Sequence, residues 1–255
     1  MGVLFILTGT TKGLGEALAK QILTSTSTEE HHLVTLSRKP TQELIDLAAK
    51  HAIKLTHINV DLQDATAVAG AAKQISDVIA GTPTSWKLRV IQNAGVVAPV
   101  LAANRLTELD AINAAFQINI TAPIMLNGHI LAAAQAMQDK RIMLISSGAG
   151  RSPTAGWGVY CATKAAMDSY VEVVALEQGE KLRITSMAPG VIDTAMQVQI
   201  RASSPEDFPA IERFKGFHEQ GQLGSAETIA SRLLTAFELA DYGSKPIDDI
   251  RQYTF

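Results

Sequence analysis

A uniformly apolar run, VLFILT at 3–8, passes directly into a glycine-punctuated turn and then into a helix-forming stretch, GTTKGLGEALAKQIL. Few folds accept that order. An apolar run of this length suits a parallel strand covered on both faces. Gly9, Gly13 and Gly15 then supply what a strand–turn–helix phosphate site requires: a tight turn, close backbone approach and close helix packing. Free amides at the start of the helix favour an anionic pyrophosphate. The spacing is TGxxxGxG and no GK[ST] follows, which disfavours a P-loop nucleotidase.

The alternation continues along the chain. Strands are expected at about 32–37, 53–60, 88–95 with its loop, 141–146 and from 182 onward; helices at 41–50, 64–80, 107–118, 120–138 and 158–178. Crossovers of this length predict an α/β fold: a doubly wound parallel sheet of Rossmann type. No repeat, low-complexity tract or linker divides the 255 residues, so one domain over 1–255 is expected. Residues 191–224 break the rhythm. Ser204 as cap, Pro205 at the first helical position and Asp207 at the third predict a helix carrying Phe208, Ile211, Phe214 and Phe217. Such a helix either docks on the core or lies over the crevice at the strand ends; we read 191–224 as a small helical substrate lid.

Composition excludes several classes. Twenty-two basic against 25 acidic residues give a net charge of −3 without a basic run, which argues against nucleic acid or an anionic membrane as partner. Cys161 is the single cysteine, so neither an internal disulfide nor a multi-cysteine metal site can form. The six histidines are scattered, and no metal is expected. The N-terminus lacks a basic segment ahead of its apolar run and reads as a buried strand. No apolar run approaches the roughly 18 residues of a membrane span. A soluble, cytoplasmic protein is the expectation.

The end of the second strand bears on the cofactor. An NAD site places an acid about 20 residues beyond the glycines, to accept from the ribose hydroxyl. This chain has Ser37, Arg38 and Lys39 there, with Lys12 in the glycine loop. That cluster either welcomes a 2′-phosphate, which makes NADP(H) the expected cofactor, or forms a solvated corner. Asp61 ends the third strand, where it holds an adenine amine or merely a turn. Asn93, Ala94 and Gly95 are small enough to let the backbone pass close to a cofactor.

The chemistry is expected in ISSGAGRSPTAGWGVYCATK at 145–164. Tyr160 and Lys164 are one helical turn apart on the same face. A phenol beside an ammonium is a proton donor for a carbonyl, and the positive charge is expected to pull the Tyr160 pKa from about 10 toward neutrality. Ser147, on the preceding loop, is placed to hydrogen-bond the same oxygen. An isolated YxxxK also describes an ordinary helix surface; the rest of the chain weighs against that reading.

With these pieces placed, the chain resembles the short-chain dehydrogenase/reductase family over nearly its whole length. TGTTKGLG at 8–15, NAG at 93–95, Asn119 in FQIN, SSGAG at 146–150, YCATK at 160–164 and PGVIDT at 189–194 occur in the family's order and spacing. The resemblance implies Tyr160 as general acid in reduction, Ser147 as carbonyl orienter, and Lys164 as holder of the nicotinamide ribose. It implies Asn119 as the residue placing a relay water near Lys164. Implied cofactor contacts are Gly9, Thr11, Lys12, Gly13, Leu14 and Gly15, then Arg38, Asp61, Asn93, Ala94 and Gly95, and finally Pro189, Gly190, Val191 and Thr194, with Tyr160 and Lys164. Within the family the likeness is to the sepiapterin reductase and benzil reductase subgroup, on LSR at 36–38, APGVIDTAMQ at 188–197 and SKPIDD at 244–249. In sepiapterin reductase a tail aspartate anchors the pterin, and Asp248 is the matching position. Ser147, Trp157, Met196 and Asp248 are therefore the substrate-pocket candidates, beside Val96 and Val97.

The implied activity is NADPH-dependent reduction of a small hydrophobic or aromatic ketone or 1,2-diketone. The alternatives are a pterin reductase, an NADP-dependent alcohol dehydrogenase and, from another class, a non-catalytic NADP(H)-sensing protein. The family also implies pairing of helices at about 107–135 and 158–178 across a two-fold axis. The second carries Ala162, Ala165, Ala166 and Ser169; a homodimer is expected, with a tetramer as the alternative.

Overall fold

The computed structural model describes residues 2–255. Its frame is a seven-stranded parallel sheet in the order β3-β2-β1-β4-β5-β6-β7. The strands are β1 (Gly2–Thr8), β2 (Glu30–Ser37), β3 (Lys54–Asn59), β4 (Lys87–Gln92), β5 (Lys140–Ile145), β6 (Arg183–Ala188) and β7 (Ile247–Asp249). The doubly wound expectation holds. The order reverses between β1 and β4, and that is where such sheets open a crevice at their carboxyl ends.

Alternation along β1 explains the two cores. Leu4 and Ile6 face one side, with Val68 and Ile75 of α3 (Ala65–Ala80), Leu126 and Ile130 of α5 (Ala122–Ala133), and Met167 and Val171 of α6 (Gly158–Gln178). Val3, Phe5 and Leu7 face the other, with Leu18 and Ile22 of α1 (Gly13–Leu23), Leu44 of α2 (Gln42–Lys50), and Leu233 and Phe237 of α9 (Ala226–Glu238). Successive side chains on a strand point to opposite faces, so a strand buried on both must be apolar throughout. Asp64 caps α3 through the amides of Thr66 and Ala67 at 2.8 and 3.0 Å, and Ser225 caps α9 through Thr228 at 3.1 Å.

Two stretches and three elements differ from the sequence expectation. The segment expected as two helices at 107–118 and 120–138 is α4 (Leu109–Phe116) and α5, joined by a single wide turn at Gln117–Thr121. The helix expected from Ser204 begins instead at Ile211, as α8 (Ile211–Glu219). Pro209 is the reason: it has no amide to bond within a helix started at Ser204. Ser204 caps a turn, its hydroxyl 3.2 Å from the Asp207 amide, while Asp207 accepts from Arg105 at 2.7 Å. A short helix before it, α7 (Ala195–Arg201), was not anticipated. Nor were α9 and β7, the latter too short to show any period.

Trp157, Tyr160, Ile200, Phe208, Ile211 and Phe214 form a third apolar cluster over the strand ends. Among the described residues no helix is long and apolar enough to cross a membrane.

Candidate active site

The carboxyl ends of β1, β2, β4, β5 and β6 open into a cavity of about 800 Å³. Its inner part is the glycine turn. Gly9 and Gly13 have φ of +76° and +61°, which L side chains rarely adopt. A Cβ on Gly15 would stand 2.1 Å from the Gly9 carbonyl oxygen, so only glycine lets α1 begin this close to the turn. Thr11, Lys12 and Leu14 line the same wall. The turn is tied to β4 from behind: the Thr8 hydroxyl accepts from the Asn93 and Ala94 amides at 3.0 Å each, and Asn93 Nδ2 donates to the Thr8 carbonyl at 3.0 Å. Asn93 thus holds the glycine turn with its side chain, while Ala94 and Gly95 border the cavity.

Arg38 and Asp61 lie exposed at one end of the cavity, with no carboxylate at the end of β2. Asp61 also serves its own turn, accepting from the Gln63 amide at 3.0 Å. Pro189, Gly190, Val191 and Thr194 line the opposite wall.

Ser147, Tyr160 and Lys164 meet in the middle of the cavity. β5 ends at Ile145 and delivers Ser147 on the following loop; α6 starts at Gly158 and presents Tyr160 and Lys164 from its first two turns. One expectation is overturned here. The Tyr160 pKa is pushed up to about 12, not drawn toward neutrality, because burial penalises the phenolate; the Ser147 hydroxyl opposes this only in part. Lys164 does not supply the expected pull. Its Nζ donates to the Ile145 carbonyl at 2.8 Å and stands 5.7 Å from the centre of the Tyr160 ring, and burial lowers its own pKa to about 8.

Asn119 and Lys164 meet around Gly95. Asn119 is fixed in position from several sides. It is buried, and its amide is committed to protein partners: Oδ1 accepts from the Val96 amide, and Nδ2 donates to the Val96 carbonyl and to Thr163 Oγ1. It orders the wall next to Lys164 Nζ.

Of the substrate candidates, Trp157 and Met196 line the cavity, as do Val96 and Val97. Trp157 stacks on Phe208 at 5.0 Å and meets Tyr160 and Phe214 edge-on at 5.5 and 5.2 Å. Phe214 and Phe217 reach the cavity, whereas Phe208 and Ile211 lie buried behind Trp157. Asp248 does not line it. Its Oδ2 accepts from the Tyr253 hydroxyl at 2.6 Å and its Oδ1 from the Asp249 amide at 2.8 Å, so the carboxylate is spent inside the C-terminal turn. Two cationic side chains on the cavity wall escaped the sequence reading: Arg213 on α8 and Arg251 beyond β7. Neither sits in a motif, and only the folded tail brings Arg251 against Gly190.

Residues 4–205 match the family described as short chain dehydrogenase. The chain belongs to that family. It is 36% identical over 241 residues to benzil reductase ((S)-benzoin forming) of Bacillus cereus, covering 93% of this chain and 94% of that one. It is 28% identical over 240 residues to sepiapterin reductase of Rattus norvegicus, covering 91% and 90%. Among solved structures, a short-chain dehydrogenase from Sphingobium yanoikuyae in complex with NADPH superposes with a TM-score of 0.76 at 17% identity, covering all of this chain and 89% of that one. At that identity the likeness is one of fold. Family membership makes the chain an oxidoreductase and gives the cavity its chemical context.

Proposed function

We propose that the protein is an NADPH-dependent carbonyl reductase acting on small hydrophobic or aromatic ketones, with aromatic 1,2-diketones such as benzil as the favoured class. The observation that carries this reading is one cavity holding both the Ser147–Tyr160–Lys164 group and a wall of Trp157, Phe214 and Phe217. Aromatic side chains recognise a flat apolar substrate by area and edge-to-face contact.

The residues present fit NADP(H). The glycine turn leaves backbone bare where a pyrophosphate would lie, and α1 points its free amides there. Lys12 and Arg38 offer two cations for a 2′-phosphate, with Ser37 in place of the acid an NAD site would use. When bound, the reduced nicotinamide supplies the hydride.

The chain supplies the proton. A phenol with a pKa of about 12 is fully protonated at neutral pH, so Tyr160 meets the carbonyl oxygen as a donor. Ser147 donates a hydrogen bond to the same oxygen and orients it. Lys164 carries its charge up to a pH of about 8, and its ammonium would hold the nicotinamide ribose hydroxyls. Asn119 keeps the Val96 wall in place.

An alcohol dehydrogenase running toward oxidation would use Tyr160 in reverse, as the base; the Lys12 and Arg38 cations, by suiting NADPH, favour reduction. A pterin reductase would need a free tail carboxylate, and Asp248 is already paired. A non-catalytic sensor has no use for the Ser147–Tyr160–Lys164 group.

A partner of the same chain is also proposed. Ala162, Ala165, Ala166 and Ser169 do not pack on their own sheet but lie exposed on α6, alongside Val173 and Leu176 at 48% and 85% exposure. Leu109 and Phe116 of α4 and Ile124 of α5 are exposed as well. Small residues permit close helix approach, and a homodimer through these helices would cover them.

The test is NADPH oxidation with benzil, a side-chain-keto pterin and a simple aryl ketone, with NADH in parallel. Benzil turnover well above pterin turnover is expected, and Tyr160→Phe should abolish it while binding NADPH normally. Faster pterin reduction, or a Tyr160→Phe enzyme of near-normal rate, sinks the reading.

A further inference from the structure

Asp168 lies one helical turn beyond Lys164 on α6 and is 5% exposed. Its carboxylate collects donors from three other segments. Ser146 Oγ, just after β5, donates to Oδ1 at 2.7 Å, and Ser186 Oγ of β6 donates to the same oxygen at 2.5 Å. Arg151 Nε donates to Oδ2 at 3.1 Å. Ser146 and Arg151 bracket the loop that carries Ser147, so one carboxylate holds both ends of that loop.

The Arg151 guanidinium continues outward, donating to the Ser186 carbonyl at 3.1 Å and the Asp248 carbonyl at 3.0 Å. Gly150 completes the fit. A Cβ there would stand 3.0 Å from Asp168 Oδ2 and from the Lys164 carbonyl carbon, so the loop rests directly on the helix between those residues. A buried carboxylate carries a large desolvation cost, and charge-assisted donors from several segments are what offsets it. None of these contacts touches the glycine turn or the apolar wall.

The geometry points to Asp168 as a positioning residue for the reduction, tying the Ser147 loop to the Tyr160–Lys164 helix through Ser146 and Arg151. Its kinetic consequence rests on the carbonyl-reductase reading; the tether does not. The charge has a second consequence. Lys164 is faced by Tyr160 on its own helix, by the Ile145 carbonyl and by the Gly95–Asn119 wall, and Asp168 is the carboxylate that raises its pKa against burial. Asp168 itself is faced by Arg151, Ser146 and Ser186. Neutralising it lets Lys164 lose its proton at lower pH.

The experiment compares the full-length wild type with Asp168→Asn, Arg151→Met and the double variant. Benzil reduction is followed across pH, NADPH binding by fluorescence, and segment 146–151 by amide hydrogen exchange. Each single variant is expected to lose at least tenfold in kcat with NADPH affinity within twofold. The double variant should be no worse than the poorer single, because both break one tether. The alkaline limb of the Asp168→Asn profile should move to lower pH, which general destabilisation would not produce. Exchange at 146–151 should quicken tenfold or more while β1 and α3 stay protected.

Wild-type kcat, pH profile and exchange in Asp168→Asn overturn the inference, as do multiplicative losses in the double variant. A wild type that reduces no carbonyl sinks the functional reading instead. Exchange then decides the tether alone: selective loss of protection at 146–151 supports it, and unchanged protection overturns it. If Asp168→Asn does not fold, Arg151→Met carries the kcat and exchange readouts, with unchanged values in both overturning the tether.

Discussion

The Asn119 amide grips both sides of one residue: Oδ1 accepts from the Val96 N–H at 2.8 Å, and Nδ2 donates to the Val96 carbonyl at 2.8 Å. A further bond from Nδ2 to Thr163 Oγ1, at 3.1 Å, joins this clamp to the residue before Lys164. The wall after β4 and the helix bearing Tyr160 are thus registered on one side chain.

Replacing Asn119 with Leu strands the Val96 amide and carbonyl. Each buried group left unpaired costs about 1–3 kcal/mol. The variant should melt earlier and lose turnover with every carbonyl tested. Thermal denaturation beside steady-state rates checks this; an Asn119→Leu protein with unchanged melting temperature contradicts the clamp.

Arg38→Ala removes a cation from the ribose end of the cavity. Losing one charge-assisted contact, worth about 1.5–3 kcal/mol, should weaken NADPH roughly 10- to 100-fold and leave NADH nearly unaffected. Dissociation constants for both cofactors decide it. An unchanged ratio would return Arg38 to the status of a solvated corner.

Acid stability should follow two histidines that neither cavity nor motif involves. His32 bonds Thr56 at 2.9 Å and His57 bonds Thr35 at 3.0 Å, between β2 and β3. Burial lowers both pKa values, that of His32 from 6.5 to about 4. A base held neutral in the fold binds its proton first in the unfolded chain. Its contribution is therefore full above pH 6.5 and is lost as pH falls from there through about 4, by up to about 1.4 kcal/mol per pH unit for His32. Denaturant midpoints across that range should show the slope, and His32→Gln should flatten it. Parallel curves for both proteins would exclude His32 as the source.

Leu176→Glu, at the most exposed apolar site of α6, should leave the fold intact and shift the protein from dimer to monomer in sedimentation. Identical mass for both proteins would show that this face is not covered by a second copy.

The sheet was legible because short strand-forming runs alternate with helix-length stretches, and because the glycine spacing marks the first crossover. Lid boundaries were not. Ser204 and Pro205 carry a sound start signal, but Pro209 overrides it four residues later, a conflict between two local rules that spacing does not resolve. At the site, every expected cofactor contact borders the cavity or braces it. Asp248 was misread because it sits where family likeness names a role, while its partner Tyr253 is brought close by folding. The rise of the Tyr160 pKa has the same origin, since desolvation depends on what covers the phenol. Asp168 was invisible for a related reason: its partners come from β5, β6 and a loop between them.

The wide turn at Gln117–Thr121 has a consequence for the evolution of length. From Leu109 to Ala133 the chain winds almost as one helix, yet the turn holds one residue more than a regular helix accommodates. Apolar positions before and after it are therefore out of phase by about 100° in a continuous count. Removing one residue from the turn would let the helix run true and keep Leu126 and Ile130 against α3. It would also take away the bulge that presents Asn119 to Val96. A shorter chain of this kind would gain a regular helix and lose the Asn119 clamp: the helix is interrupted at the very residues that hold the wall of the site.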